Sequence, residues 1–302
     1  MNNYVICQDS IIFLPEFDKP LDNYIGIIKN YKKLIFSNYN DFEICIKTNN
    51  KYTNKYDKQF TKSNFNLPLE NSLLNLANLT HLTFGFNFNQ PLKNSLSNLI
   101  NLTNLTFGTA FNQPLENSLS NLTNLTHLTF GAMFNQPLEN FLLNLINLTH
   151  LTFGYYFDQP LENSLSNLIN LTHLSFGSKF NHSLDNSLSN LNSLTYLELG
   201  YNFNQLSELP LCIKKILIDC NNLSLIENLP NNIEELYLGE NFNLELNNLP
   251  NSIKKIKFIF DSKYNKELNN LPKFIQFLEL PVNYSLPINN INSRCSVITF
   301  FS

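Results

Sequence analysis

The sequence predicts an α/β repeat solenoid, and three observations carry that expectation. A Phe-Asn pair recurs at intervals of 23 residues, as Phe65-Asn66, Phe88-Asn89, Phe111-Asn112, Phe134-Asn135, Phe157-Asp158, Phe180-Asn181 and Phe203-Asn204. Each repeat also carries, in the same phase, a Leu-x-x-Leu-x-Phe-Gly run, as in Leu79–Gly85 and Leu125–Gly131. Within a unit the apolar spacing changes from the alternation of a strand to the three- and four-residue steps of a helix. A period in the twenties means stacked units, each able to bury its apolar side only against a neighbour. Such a stack offers a long surface rather than a pocket, so recognition is the expected class of function.

Each element follows in order. Leu82 and Phe84 share one face of a short strand, flanked by Thr80, His81 and Thr83. Gly85 ends the strand, Phe88 turns back inside, and Pro91 fixes the exit. Leu92, Leu96 and Leu99 then predict one loose helical turn on the outer side. Phe-Asn-x-Pro-Leu joined to Leu-Thr-His-Leu-Thr-Phe-Gly resembles the FNIP repeat, a leucine-rich-repeat relative abundant in AT-rich amoebae and their giant viruses. The resemblance is closest over residues 65–204, and it implies an arc with a parallel concave sheet. Composition agrees with an AT-rich source: Arg294 is the one arginine, and tryptophan is absent.

The strand slot reads Phe84, Phe107, Phe130, Phe153, Phe176 and Leu199, then continues as Ile218, Leu238, Phe258, Leu280 and Phe300. From Leu209 the coils shorten to about 20 residues, as in Leu229-Pro230 through Leu238, which resembles the short bacterial-type repeat. A shorter outer side predicts a change of curvature near residue 205. Backwards, Phe17–Ser37 aligns without a gap to Phe65–Gly85, and Phe13 fills the slot 23 residues before Phe36. The 48 residues between Phe36 and Phe84 leave room for one degenerate coil using Phe60, with Ile44 and Ile46 as competitors. The expectation is about fourteen coils in a single solenoid domain over 1–302. It divides into degenerate N-terminal coils and a cap (1–64), 23-residue repeats (65–204), and shorter repeats with a C-terminal cap (205–302).

A formal charge of −4 on 302 residues argues against a dedicated nucleic-acid binder. No run of 18 apolar residues predicts a membrane span, and the first residues lack the pattern of a signal peptide. The cysteines Cys7, Cys45, Cys212, Cys220 and Cys295 are odd in number and scattered, which suits a reducing cytoplasm. Cys212 and Cys220 read as packing residues. The Asn-Leu-Thr sequons at Asn78, Asn101, Asn124, Asn147 and Asn170 then read as by-products of the repeat.

The third strand position faces the concave side and reads His81, Asn104, His127, His150, His173, Tyr196, Lys215, Glu235, Lys255 and Phe277. Zinc would favour imidazole nitrogen, but no Cys, Asp or Glu joins these His, and a flat ladder does not surround a metal tetrahedrally. No metal or cofactor is expected. Catalysis is not expected either, since no nucleophile triad, phosphate loop or isolated carboxylate pair stands out. Glu116, Glu139 and Glu162 read as solvated surface. Lys214-Lys215, Glu234-Glu235 and Lys254-Lys255 alternate in sign, which predicts cross-strand pairing.

A partner surface needs positions that the repeat does not copy. One set lies between Gly and Phe-Asn, including Phe86, Met133, Tyr155, Tyr156 and Tyr201. The other is the C-terminal part of the concave face, where uniform His and Thr give way to Tyr196, Glu198, Lys215, Glu235, Tyr237, Lys255, Lys257 and Phe277. Mixed tyrosine and charge is interface-like. The expected function is a non-enzymatic scaffold that binds a protein partner there, of unknown identity and oligomeric state. The alternative is the substrate-recognition subunit of an F-box-type ubiquitin ligase, since relatives of this repeat often follow an F-box and Leu14-Pro15-Glu16-Phe17 resembles the start of one.

Overall fold

The computed structural model describes residues 3–39, 61–138, 141–259, 261–288 and 291–299, in two compact units, 1–157 and 158–302. In the first unit β1 (Tyr4–Cys7) and β2 (Ser10–Phe13) form an antiparallel hairpin. From β2 a parallel ladder runs through β3 (Lys33–Phe36), β4 (His81–Thr83), β5 (Asn104–Thr106), β6 (His127–Thr129) and β7 (His150–Thr152). In the second unit β8 (His173–Ser175), β9 (Tyr196–Leu199), β10 (Lys215–Ile218), β11 (Glu235–Leu238), β12 (Lys255–Phe258), β13 (Phe277–Glu279) and β14 (Ser296–Ile298) pair in parallel, in chain order. Each unit is therefore a parallel solenoid with one short strand per coil. Residues 11–39 join it as coils, with Phe17 buried and packed 4.0 Å from Phe13. The segment that resembled an F-box start is part of this repeat stack.

Alternation sets the core. In every strand from β4 to β8 the middle leucine is buried and its neighbours stay half-buried or exposed. Inside the first unit, strand and loop phenylalanines form one stacked spine. Phe84 and Phe88 lie 4.0 Å apart, Phe107 and Phe111 4.1 Å, and Phe130 and Phe134 4.0 Å. Successive coils continue it, with Phe107–Phe130 at 5.5 Å and Phe111–Phe134 at 6.2 Å. In the second unit Phe176, Phe180 and Phe203 carry the spine, which then passes to aliphatic Ile218 and Leu238. Aromatic stacking resumes where Tyr264 meets Phe242, Phe258 and Tyr284.

Three details differ from the sequence expectation. The outer side of the 23-residue coils is built of tight turns rather than helix: Ser95 N–H donates to the Leu92 carbonyl (2.8 Å) and Leu99 N–H to that of Leu96 (3.0 Å). The residue after Pro-Leu explains this, since Glu70, Lys93, Glu116 and Glu162 have φ of 43, 45, 41 and 45°. An α-helix of L-residues does not propagate through that conformation. Among the described residues the α-helices are α1 (Ile25–Ile28) and α2 (Leu223–Glu227), the latter capped by the Asn222 side chain. Because left-handed backbone is costly for a residue with a β-carbon, Glu116→Gly should stabilise the fold by about 0.5–1 kcal/mol in urea titration.

Second, among the described residues no strand intervenes in the sheet between Phe36 and Phe84, because β3 pairs directly with β4 in the register Lys33↔His81. Phe65 stacks on Phe36 at 4.2 Å, the place that Phe88 takes on Phe84. The described residues on either side of 40–60, at 38–39 and 61–63, come together. Thr61 N–H donates to the Asn38 carbonyl (2.9 Å), and the Asn38 side chain accepts from Ser63 and Phe86. Phe60, Ile44, Ile46 and Cys45 lie outside the described residues. Third, β14 pairs Glu279 with Ile298, so the slot after Leu280 falls one residue before Phe300, which is itself outside the described residues.

Candidate interaction surface

Strand register lines up the outward positions in files. In the first unit His81, Asn104, His127 and His150 form one file, and Thr83, Thr106, Thr129 and Thr152 the next. In the second unit the files read His173, Tyr196, Lys215, Glu235, Lys255, Phe277 and Ser175, Glu198, Leu217, Tyr237, Lys257, Glu279. All eight sequence-predicted partner residues therefore share one sheet face of the second unit.

That face is tied together by its own side chains. The Lys215 ammonium lies 4.2 Å from the Tyr237 ring centroid and 5.4 Å from that of Tyr196. Lys255 lies 5.3 Å from both Tyr237 and Phe277. The Tyr196 hydroxyl donates to Glu198 (3.3 Å) and the Tyr237 hydroxyl to Glu235 (2.8 Å). Burial, with the Glu198 charge beside it, pushes the Tyr196 phenol well above its usual range. Lys257 is held by Glu279 at 2.7 Å, and that carboxylate is nearly buried. Glu234 takes Lys254 at 2.8 Å and Lys214 at 3.6 Å, as the alternating charges predicted, and Lys254 holds its carboxyl below the usual range. A recess of about 310 Å³ opens among Glu234, Glu235, Lys254, Lys255, Gln276 and Phe277.

The first unit presents a different chemistry. Thr126 Oγ donates to the Thr103 carbonyl at 3.0 Å, which uses its one proton, so it accepts from His127 Nδ1–H at 2.9 Å. Thr80 does the same between the Lys32 carbonyl (3.2 Å) and His81 Nδ1 (2.8 Å). The threonine before each histidine thus sets the tautomer, a role that β-propensity alone did not reveal. His127 and His150 stack with centroids 4.3 Å apart. Burial lowers the pKa of His127, and burial followed by the Lys33 charge lowers that of His81. Desolvation is therefore the leading cause at both histidines. A lowered folded-state value means the folded protein binds fewer protons, so stability should fall as pH drops below the unfolded value of about 6.5. His127→Asn should blunt that loss in acid titrations followed by circular dichroism. Equal acid sensitivity in both proteins would contradict it.

The asparagines of the Phe-Asn pairs form a hydrogen-bonded ladder from coil to coil. Asn89, Asn112 and Asn135 N–H groups donate to the side chains of Asn66, Asn89 and Asn112 at 2.8–2.9 Å. In the second unit Asp158 accepts from Asn181 at 3.0 Å, and Asn181 from Asn204 at 2.9 Å. Asn89, Asn112 and Asn181 are half-buried and Asn66 and Asp158 exposed, because the ladder runs along a loop edge. Asn101 and Asn124 of the sequon file donate to the carbonyls of Ala77 and Ile100, both at 2.9 Å, which gives that file a structural role. Glu116 and Glu162 are exposed as expected, and Glu139 lies outside the described residues. Cys7, Cys212, Cys220 and Cys295 are free thiols, with burial raising Cys220 to about 11. Among the described residues no three His, Cys, Asp or Glu side chains group as metal ligands, and no helix is long and apolar enough to cross a membrane. The rival loop positions Met133, Tyr155, Tyr156 and Tyr201 are exposed, and Phe86 is half-buried with Lys62 over its ring at 4.4 Å.

Comparison with known proteins agrees with this architecture. A solved structure described as CroV588, a novel circular leucine-rich-repeat protein, matches 98% of this chain at 28% identity with a TM-score of 0.61. The chain spans 50% of that protein's length. An internalin (inlF) from Listeria monocytogenes matches 97% of this chain and 87% of its own, at 17% identity and a TM-score of 0.49. No curated protein matches. Residues 221–261 match the FNIP Repeat family, within the shortened coils rather than in the 65–204 stretch where the motif is most regular. Phe242-Asn243 lies within the matched span, and Asn243 N–H donates to the Asn221 side chain at 2.7 Å, which continues the Phe-Asn ladder there. Residues 221–261 thus match an FNIP repeat, and the fold of the chain is similar to that of a circular leucine-rich-repeat protein.

Proposed function

We propose that this protein is a non-enzymatic, cytoplasmic scaffold that binds a protein partner on the sheet face of its second unit, the concave side of the leucine-rich-repeat plan. The observation that carries this reading is the change of the outward files from repeated Asn, His and Thr to Tyr196, Glu198, Lys215, Glu235, Tyr237, Lys255, Lys257 and Phe277. A file of identical residues gives a partner several equivalent docking positions, whereas distinct residues fix one register. Half-buried tyrosines held by neighbouring carboxylates add large contact area at low entropic cost. No observation favours the ligase-subunit alternative over this one.

The test compares two double variants in binding to a purified partner. Tyr237→Ala with Phe277→Ala should weaken binding by more than about 1 kcal/mol. Thr106→Ala with Thr129→Ala should change it little. Lys257 is left in place, because its truncation would strand the nearly buried Glu279 carboxylate and mix stability with affinity. A larger loss from the threonine pair would move the working surface to the first unit.

A further inference from the structure

We propose that Lys215 anchors one carboxylate, an Asp or Glu side chain of an extended peptide partner lying across β9–β11; this rests on the function proposed above. Four lysines around it are already satisfied by carboxylates: Lys214 and Lys254 by Glu234, Lys255 by Glu235 at 3.9 Å, and Lys257 by Glu279. Among the described residues Lys215 has no carboxylate in ion-pair reach, although Glu235 is its partner in register. Both nearby acids are turned to other groups. Glu235 takes the Tyr237 hydroxyl at 2.8 Å and faces Lys255, while Glu198 takes Ser175 Oγ at 2.7 Å and the Tyr196 hydroxyl.

What Lys215 does have is two aromatic neighbours, Tyr237 and Tyr196. Ring faces attract the charge but offer no acceptor lone pair in the plane of a carboxylate, and an ammonium carries three donors. An incoming carboxylate would supply that acceptor between two tyrosine walls. Lys215 and Lys255 together offset Glu198 and Glu235, so the local field is close to neutral. This favours a single acid met at contact distance over a polyanion drawn in from afar.

A random linear peptide library displayed against the intact chain tests the proposal, with Lys215→Met and Tyr237→Ala proteins in parallel. Methionine keeps an unbranched stem between the rings, and thermal melting checks that the variant folds. Selected peptides should share one Asp or Glu position, lose at least tenfold in affinity for Lys215→Met, and recover on Lys215→Arg. Peptides that depend on Tyr237 yet show no acidic position and bind Lys215→Met equally would overturn this inference while leaving the proposed function standing. Peptides indifferent to Tyr237 would overturn both. Tight, salt-sensitive binding of poly-glutamate in place of singly acidic peptides would also overturn it.

Discussion

Gly131→Ala should destabilise the first unit by about 3 kcal/mol or more, at or beyond the upper end of the usual overpacking range. A β-carbon at Gly131 would lie 1.8 Å from the Gly108 carbonyl oxygen and 2.4 Å from its carbon. Gly108 meets Gly85 in the same way at 1.7 Å, and in the second unit Gly200 meets the Gly177 oxygen at 2.3 Å. The obstacle is backbone, so relief requires adjacent coils to part and the strand pairing beside them to weaken. None of the described glycines has a positive φ, so space and not conformational freedom selects the residue. Gly26→Ala is the control: it sits in α1 with nothing within 4 Å of the added carbon. That change should be neutral or stabilising by up to about 1 kcal/mol. Urea titration of both variants decides the point, and equal midpoints would show that the coil spacing is not set by this file.

Phe130→Ala should cost about 3–5 kcal/mol. The ring is fully buried and stacks on Phe134 at 4.0 Å, Phe107 at 5.5 Å and Phe153 at 5.6 Å. Removing it opens a cavity in a stack where each coil buries its apolar side only against its neighbours, so collapse from one side is restricted. Phe130→Leu refills most of the volume and should recover more than half of the loss. If alanine and leucine behaved alike, ring stacking rather than filled volume would dominate the spine.

Strand register and the files of outward residues were legible in the sequence, because Leu-x-Phe alternation in a fixed period leaves one way to pair the coils. The same periodicity misled between Phe36 and Phe84. The interval left room for one more coil, but β3 pairs directly with β4 and Phe65 closes the coil of Phe36 by stacking. The glycine after each strand was read as a stop signal. Its reason is the close approach of the preceding coil, which depends on three-dimensional spacing and leaves no mark in the sequence beyond the glycine itself. Left-handed backbone at Glu116 was invisible because glutamate gives no signal for positive φ. On the candidate surface, composition indicated where the file diversifies but not how its charges pair. Lys257 is engaged by Glu279 and Lys215 is not engaged by Glu235, and that distinction rests on side-chain direction.

Side-chain oxidation footprinting of the protein with its partner bound tests the proposed surface most directly. Tyr196, Tyr237 and Phe277 should lose reactivity on binding, while the exposed loop residues Met133, Tyr155 and Tyr156 should keep theirs. Protection of Met133, Tyr155 and Tyr156 with Tyr196, Tyr237 and Phe277 unchanged would contradict the assignment and place recognition on the loop edge of the first unit.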